Sequence, residues 1–191
     1  MCSTERVADT INYLALLRGI NVGGNNIIKM DALRTLFEGL GFTGVTTYIQ
    51  SGNVLFKSPR HDRRHLEEHI ERALREKVGG SIRVALLTSA EMEEIIVQKP
   101  EGFGENKEAY RYDVIFLMGT LTASDAIKEF RPREGVDTIS EGKKVLYIAR
   151  LVSQITKSRF SKISESWIYP DITIRNWNTT ETLCRLVRGN A

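Results

Sequence analysis

Arg18, Asn21, Gly23, Gly24 and Asn25 stand close together in a stretch that also holds Val22 and Asn26, and that composition is suited to holding an anion. Paired glycines let successive backbone amides converge into a nest, and a guanidinium adds a fork-shaped positive charge. A second polar block, Gln50, Ser51, Gly52 and Asn53, lies between two apolar stretches. Together the blocks could form a rim of amides and side-chain donors for a small anionic or phosphate-bearing ligand. The pattern is not a Walker loop, because no GK[ST] follows, and GINVGG is not GxGxxG. Turn chemistry alone could also account for the glycines and asparagines. Arg18 would then tie down carbonyls or an acidic side chain from elsewhere. No Asp or Glu occurs from Gly19 to Lys29 or from Gly44 to Ser58, so a local carboxylate partner is missing.

A possible second cluster is Arg175, Asn176 and Trp177. Asn178 and Glu181 follow at the spacing of a helix cap. Trp177 reads as a core or interface aromatic, with Arg175 as its stacking or carboxylate-paired neighbour. All three histidines, His61, His65 and His69, fall in HDRRHLEEH, and HLEEH fits the HxxEH metalloprotease pattern. With Leu66 and Ile70 turned inward, however, these histidines flank the polar side of a helix, and no third ligand is signalled downstream. No metal is expected there. No Ser-His-Asp or Cys-His arrangement is suggested, and the residues indicate no particular cofactor. Whether any reaction is catalysed stays open at this level.

The elements that would position these residues follow from periodicity. Tyr13 to Leu17 is a short apolar run and reads as a strand. Met30, Leu33, Leu36, Phe37 and Leu40 recur at helical spacing, and Gly41 closes that helix. TTYI and VLFK flank Gln50 to Asn53 as a hairpin. A helix over 62–78 stops at Gly79-Gly80 before a strand over 82–87. Thr88 and Glu91 form a capping box that opens a connecting helix, which Pro100 ends. After a linker to about residue 110 the order repeats: a strand over 113–118, a helix near 124–130, strands over 136–140 and 144–149, a helical stretch around 159–168, and a strand over 172–175. The hairpins YIQSGNVLF and TISEGKKVLY even resemble each other, with Gly52 and Gly142 both placed at the turn.

The expected fold is therefore α+β, with two ferredoxin-like β-α-β-β-α-β halves arising from an internal duplication. The expected boundaries are 11–87 for the first half, 88–110 for the connecting helix and linker, and 111–188 for the second half with its C-terminal helix. In YLALL, VALL and VIFLM both alternating faces are apolar, so each sheet should be covered on both sides. In this topology the loop after the first strand and the hairpin after the second lie at one end of the sheet. Gly79, Gly80 and Ser81 return to the same end.

LALLRGINVGGNNIIKMDALRTLFEGLGFTGVTTYIQSGNVLF closely resembles the start of the bacterial family known as domain of unknown function 1697. ITIRNWNTTETL is similar to that family's ending. The likeness runs from about Asn12 to Val187, and the blocks LLRGINVGG, TYIQSGNV and TIRNWNT in this order carry it. What the resemblance implies is a two-part α+β fold in the cytoplasm, with no settled activity.

Composition adds bounds. The chain has 191 residues, 41% of them hydrophobic, enough for a continuous core. Its longest apolar stretches are far shorter than the roughly 20 residues that span a bilayer, so no membrane partner is expected. Cys2 and Cys184 give neither metal spacing nor a disulfide framework, and they read as reduced cytosolic thiols. A net charge of +3 barely favours nucleic acid. The basic runs at 60–65, 131–133 and 157–162 keep a nucleic-acid-binding module as an alternative. An RNA-recognition reading loses ground because NVLFK lacks the RNP1 pattern. An enzyme acting on a phosphorylated substrate at the same rim is the third reading.

Overall fold

A computed structural model describes residues 10–21, 26–59 and 61–189. The first half runs β1 (Thr10–Arg18), α1 (Met30–Gly39), β2 (Thr43–Tyr48), β3 (Asn53–Pro59), α2 (Arg63–Val78) and β4 (Arg83–Thr88), followed by α3 (Ser89–Val97). The second half runs β5 (Tyr110–Leu117), α4 (Ala123–Ala126), β6 (Asp137–Gly142), β7 (Val145–Leu151) and β8 (Ile172–Asn176), followed by α5 (Trp177–Val187). Each half forms a four-stranded antiparallel sheet, in the orders β2-β3-β1-β4 and β6-β7-β5-β8. The two orders are equivalent, so the halves are topological repeats of one ferredoxin-like unit.

The doubly apolar strands divide their side chains between two cores. Tyr13, Ala15 and Leu17 of β1 join Leu33 and Phe37 of α1 and Leu66, Ile70 and Leu74 of α2. Leu14 and Leu16 point the other way, into a central core with Met92 and Ile95 of α3 and Leu183, Cys184 and Val187 of α5. The second sheet repeats the pattern. Val114, Phe116, Val145 and Tyr147 enter the central core, while Ile115, Leu117, Leu146 and Ile148 face Ala126, Phe130, Ile163 and Ile168 on the outside. This is the strict alternation of a pleated strand. The inner face of each sheet is thus covered by α3 and α5 together with the other half.

Helix ends follow local chemistry. Asp62 accepts a bond from the His65 amide at 3.0 Å to open α2, and Gly79, in the left-handed region at φ 77°, closes it. The Thr88–Glu91 capping box opens α3. Three expectations need correction. The helix near 124–130 is one α-turn, Ala123–Ala126, which tightens into a 3-10 turn over Ile127–Glu129. The stretch around 159–168 holds a 3-10 turn at Phe160–Glu165 instead of an α-helix. Gly142 ends β6 instead of occupying the turn, which falls on Lys143-Lys144, with Lys144 at φ 59°.

Candidate functional site

The sheet register brings the sequence blocks to one end of the first half. Leu16 lies opposite Asn53, Tyr48 opposite Asn53, and Arg18 opposite Arg83. The exit of β1, the β2–β3 turn and the entry to β4 therefore share one rim. Gly23, Gly24 and Asn25 lie outside the described residues. Asn21 joins the loop to the turn: its Nδ2 donates to Ile28 O at 3.1 Å and Gln50 O at 3.3 Å, and its Oδ1 accepts from Ile28 N at 2.9 Å. Asn26 donates to Gly19 O at 2.7 Å. A Cβ on Gly80 would run into the Asn26 amide, so residues 79–81 reach the same rim.

Arg18 is half-buried at the end of β1. Its Nε donates to Tyr169 O at 3.0 Å, and its guanidinium lies 4.5 Å from the centre of the Tyr169 ring. Among the described residues its two Nη atoms have no hydrogen-bond partner, and no carboxylate pairs with it. Its register neighbour Arg83 is neutralised instead, by Glu71 at 3.3 Å and Asp171 at 2.7 Å. The second half thus orients Arg18 through a tyrosine face and a carbonyl, and among the described residues no carboxylate neutralises it. Gln50 and Ser51 are exposed beside it in the turn. Ile49 is 50% exposed and sits at φ 48°, a conformation unusual for a β-branched residue. Such backbone positions cluster where a surface is held for a purpose.

Asn53 does not share this outward role. Its side chain is fully buried, donating to Tyr48 O and Ser51 Oγ at 3.0 Å each and accepting from Arg175 Nε at 2.6 Å. Every polar atom of that amide is spent inside the protein. Gly52 is equally constrained, at φ 71° with Leu17 and Ile20 where a Cβ would be.

Arg175 is not stacked on Trp177, and among the described residues no carboxylate pairs with it. It reaches across from β8 of the second half, 8% exposed, into the first half's turn. Besides Asn53 it donates to Leu17 O at 3.1 Å, Ser51 O at 3.0 Å and Gly52 O at 3.4 Å. Thr173 Oγ1 and Ile174 O take the remaining Nη1 bonds, at 2.9 and 2.8 Å. Burial pulls the guanidinium down to about 10. Asn176, and not Asn178, caps α5, accepting from Thr179 N at 2.8 Å. Trp177 is 3% exposed in the central core, edge-on to Phe103 at 5.1 Å. The second cluster is therefore built into the fold: a cap, a core aromatic and a staple between halves.

His65 and His69 stack in parallel on α2, 6.5 Å apart, and His69 Nδ1 meets Arg72. Among the described residues no group of three His, Cys, Asp or Glu side chains is placed to hold a metal. In the basic runs, Arg63 pairs with Glu91, Arg64 with Glu68, and Arg131 folds back on Lys128 O and Phe130 O. No helix among the described residues is long and apolar enough to cross a membrane.

A cavity of about 720 Å³ lies off this rim, beside β4 between α2 and residues 118–121 of the second half. Reading the sequence had singled out neither Glu67 nor Glu71, which line it. Both looked like members of α2's polar side. The available signal was their one-turn spacing on a helix running beside an edge strand.

A duplicated ferredoxin-like α+β protein with an oriented arginine at one sheet end is the class that fold and site define. The chain belongs to a family described as a protein of unknown function (DUF1697), whose model matches residues 11–147, well over half of the chain. It is similar in structure to a conserved bacterial protein, SP0830, from Streptococcus pneumoniae. The TM-score is 0.83 at 24% identity, over 94% of this chain and 99% of that one. That likeness bears on the fold alone. No curated protein matches the chain.

Proposed function

We propose that the chain binds a small anionic or phosphate-bearing ligand at the rim formed by Arg18, the loop that follows it and the Gln50–Ser51 turn. The observation that carries this reading is the state of Arg18: Nε held by Tyr169 O, guanidinium carbon 4.5 Å from the centre of the Tyr169 ring, and both Nη atoms without a partner among the described residues. A guanidinium restrained in this way has already lost much of its side-chain freedom, so less remains to be lost when an anion binds. Its neighbours on the rim are amides and a hydroxyl, and Arg83, the adjacent cation, keeps its own carboxylates. Asn21 supports the site by locking loop to turn, and Arg175 supports it by fixing the turn from below.

Calorimetric titration with inorganic phosphate and a panel of nucleotides and sugar phosphates tests the proposal. Arg18→Ala should abolish anion binding while changing unfolding stability by less than about 1 kcal/mol, the scale of an ordinary surface substitution. Binding that survives in the variant, or a stability loss of several kcal/mol, would assign Arg18 to the fold.

A further inference from the structure

Between the halves lies an inner cavity of about 90 Å³, which shares Arg63, Glu67, Gly119 and Lys144 with the neighbouring cleft of about 720 Å³. Its floor is apolar: Ala85, Leu87, Ile95 and Phe116 belong to the central core and line it. Its mouth is accessible, since Gly119, Lys143 and Lys144 are exposed. Six charged side chains stand in the lining. Four of them satisfy one another: Arg63 holds Glu91, and Lys143 Nζ donates to the two Glu94 oxygens at 3.0 and 2.9 Å. The two left over are Glu67 and Lys144.

Glu67 Oε1 accepts from Leu86 N at 3.2 Å, and Oε2 has no hydrogen-bond partner among the described residues. Burial first of all raises this carboxyl, and a cation seated against Oε2 would offset that cost. Lys144 acts on Glu67 through its charge but forms no ion pair with it, or with any other carboxylate among the described residues. Its backbone is nevertheless fixed, at φ 59°, with its carbonyl accepting from Leu117 N at 3.1 Å where β5 ends. That conformation is uncommon for lysine, and backbone positions of this kind cluster at ligand sites. Two opposite charges, neither matched by the protein, thus line one cavity with an apolar floor.

We propose that this cavity binds a free amino acid with an apolar side chain, its ammonium group on Glu67, its carboxylate on Lys144 and its side chain on the floor of Ala85, Leu87, Ile95 and Phe116. A simple cation would leave Lys144 unmatched, and a simple anion would leave Glu67 so. A zwitterion answers both and brings no net charge into the site. A concave, largely apolar space with a few converging polar groups, set between two halves, is the usual form of a small-molecule pocket. The site shares no residue with the Arg18 rim and does not rest on that proposal.

The probe is L-leucine, titrated calorimetrically into the full chain beside two derivatives: L-leucinamide, which lacks the carboxylate, and N-acetyl-L-leucine, which lacks the ammonium group. Leucine should bind about tenfold more tightly than either, the scale of one hydrogen bond to a charged group. Glu67→Gln keeps an oxygen for Leu86 N and removes the charge. This variant should lose the preference over N-acetyl-leucine and keep the preference over leucinamide. Lys144→Asn places a residue that tolerates the left-handed backbone and should do the reverse. Circular dichroism checks that both variants fold, and the comparison of the three probes on wild type stands without them. No binding of leucine, equal binding of the three probes by wild type, or a preference that outlasts the matching substitution would each overturn the proposal.

Discussion

Replacing Arg175 by methionine keeps a long apolar stem and removes every donor that joins β8 to the first half's turn. Six oxygens accept from this guanidinium, at distances from 2.6 to 3.4 Å, and four belong to the other half. Removing one partner of a buried charged group costs about 3–5 kcal/mol, because the acceptors it leaves stay out of water. The lower end applies here. Holding the charge in place already costs roughly 3 kcal/mol, the equivalent of lowering its pKa from 12.5 to about 10, and methionine relieves that cost. A loss of about 3 kcal/mol is therefore expected in urea unfolding, read as a lower midpoint at unchanged slope. Arg175→Lys should lose nearly as much, since an ammonium cannot reach oxygens on Leu17, Ser51 and Asn53 together. A loss below about 1 kcal/mol for methionine, or full recovery with lysine, would refute the view that a planar fork staples the halves.

Gly52→Ala should cost about 2–4 kcal/mol, because it combines φ 71° with a Cβ placed 2.9 Å from Leu17 and Ile20 side-chain atoms; a thermal melt checks it. For Glu91, burial works against the charge, yet bonds from Arg63 and Thr88 hold the carboxyl below its ordinary range. Its stabilising contribution is therefore present above the unfolded carboxylate pKa of about 4.3 and lost as pH falls through the lower folded value. The stability gap between wild type and Glu91→Gln, followed by denaturant unfolding across acidic pH, should close over that window. Glu67 has the opposite sign, since burial first of all raises it. Glu67→Gln should accordingly match or exceed wild-type stability at pH 7.

The strands and their two-sided burial were legible because YLALL and VIFLM state them directly. Both hairpins and the Thr88–Glu91 cap were equally local. The 3-10 turn at Phe160–Glu165 escaped for a chemical reason. Ser158 Oγ accepts from Phe160 N, Ser164 Oγ donates to Ser161 O, and Ser166 Oγ accepts from Ile168 N, so serines capture backbone groups that an α-helix would use. Asn176 and Asn178 were indistinguishable by type. The cap falls on the residue where β8 ends, and only the strand register fixes that. Arg175's four partners in the first half stand more than 120 residues away in sequence, beyond the reach of any local pattern. Arg18's lack of a nearby carboxylate could be read from composition, but its placement on Tyr169 could not.

The central core also bears on how such a chain can be divided. Leu14 and Leu16 of one sheet and Val114 and Phe116 of the other share that core, and α5, which follows β8, packs against β1 and β3. A fragment ending after α3 would keep its outer core whole and present the inner face of its sheet, with Met92 and Ile95 alongside, to water. The nearest substitute for the missing repeat is another copy of the fragment. Two copies related by a twofold axis would set α3 against α3 where the intact chain sets α3 against α5, so a single repeat has the makings of a homodimer that the full chain ties into one molecule.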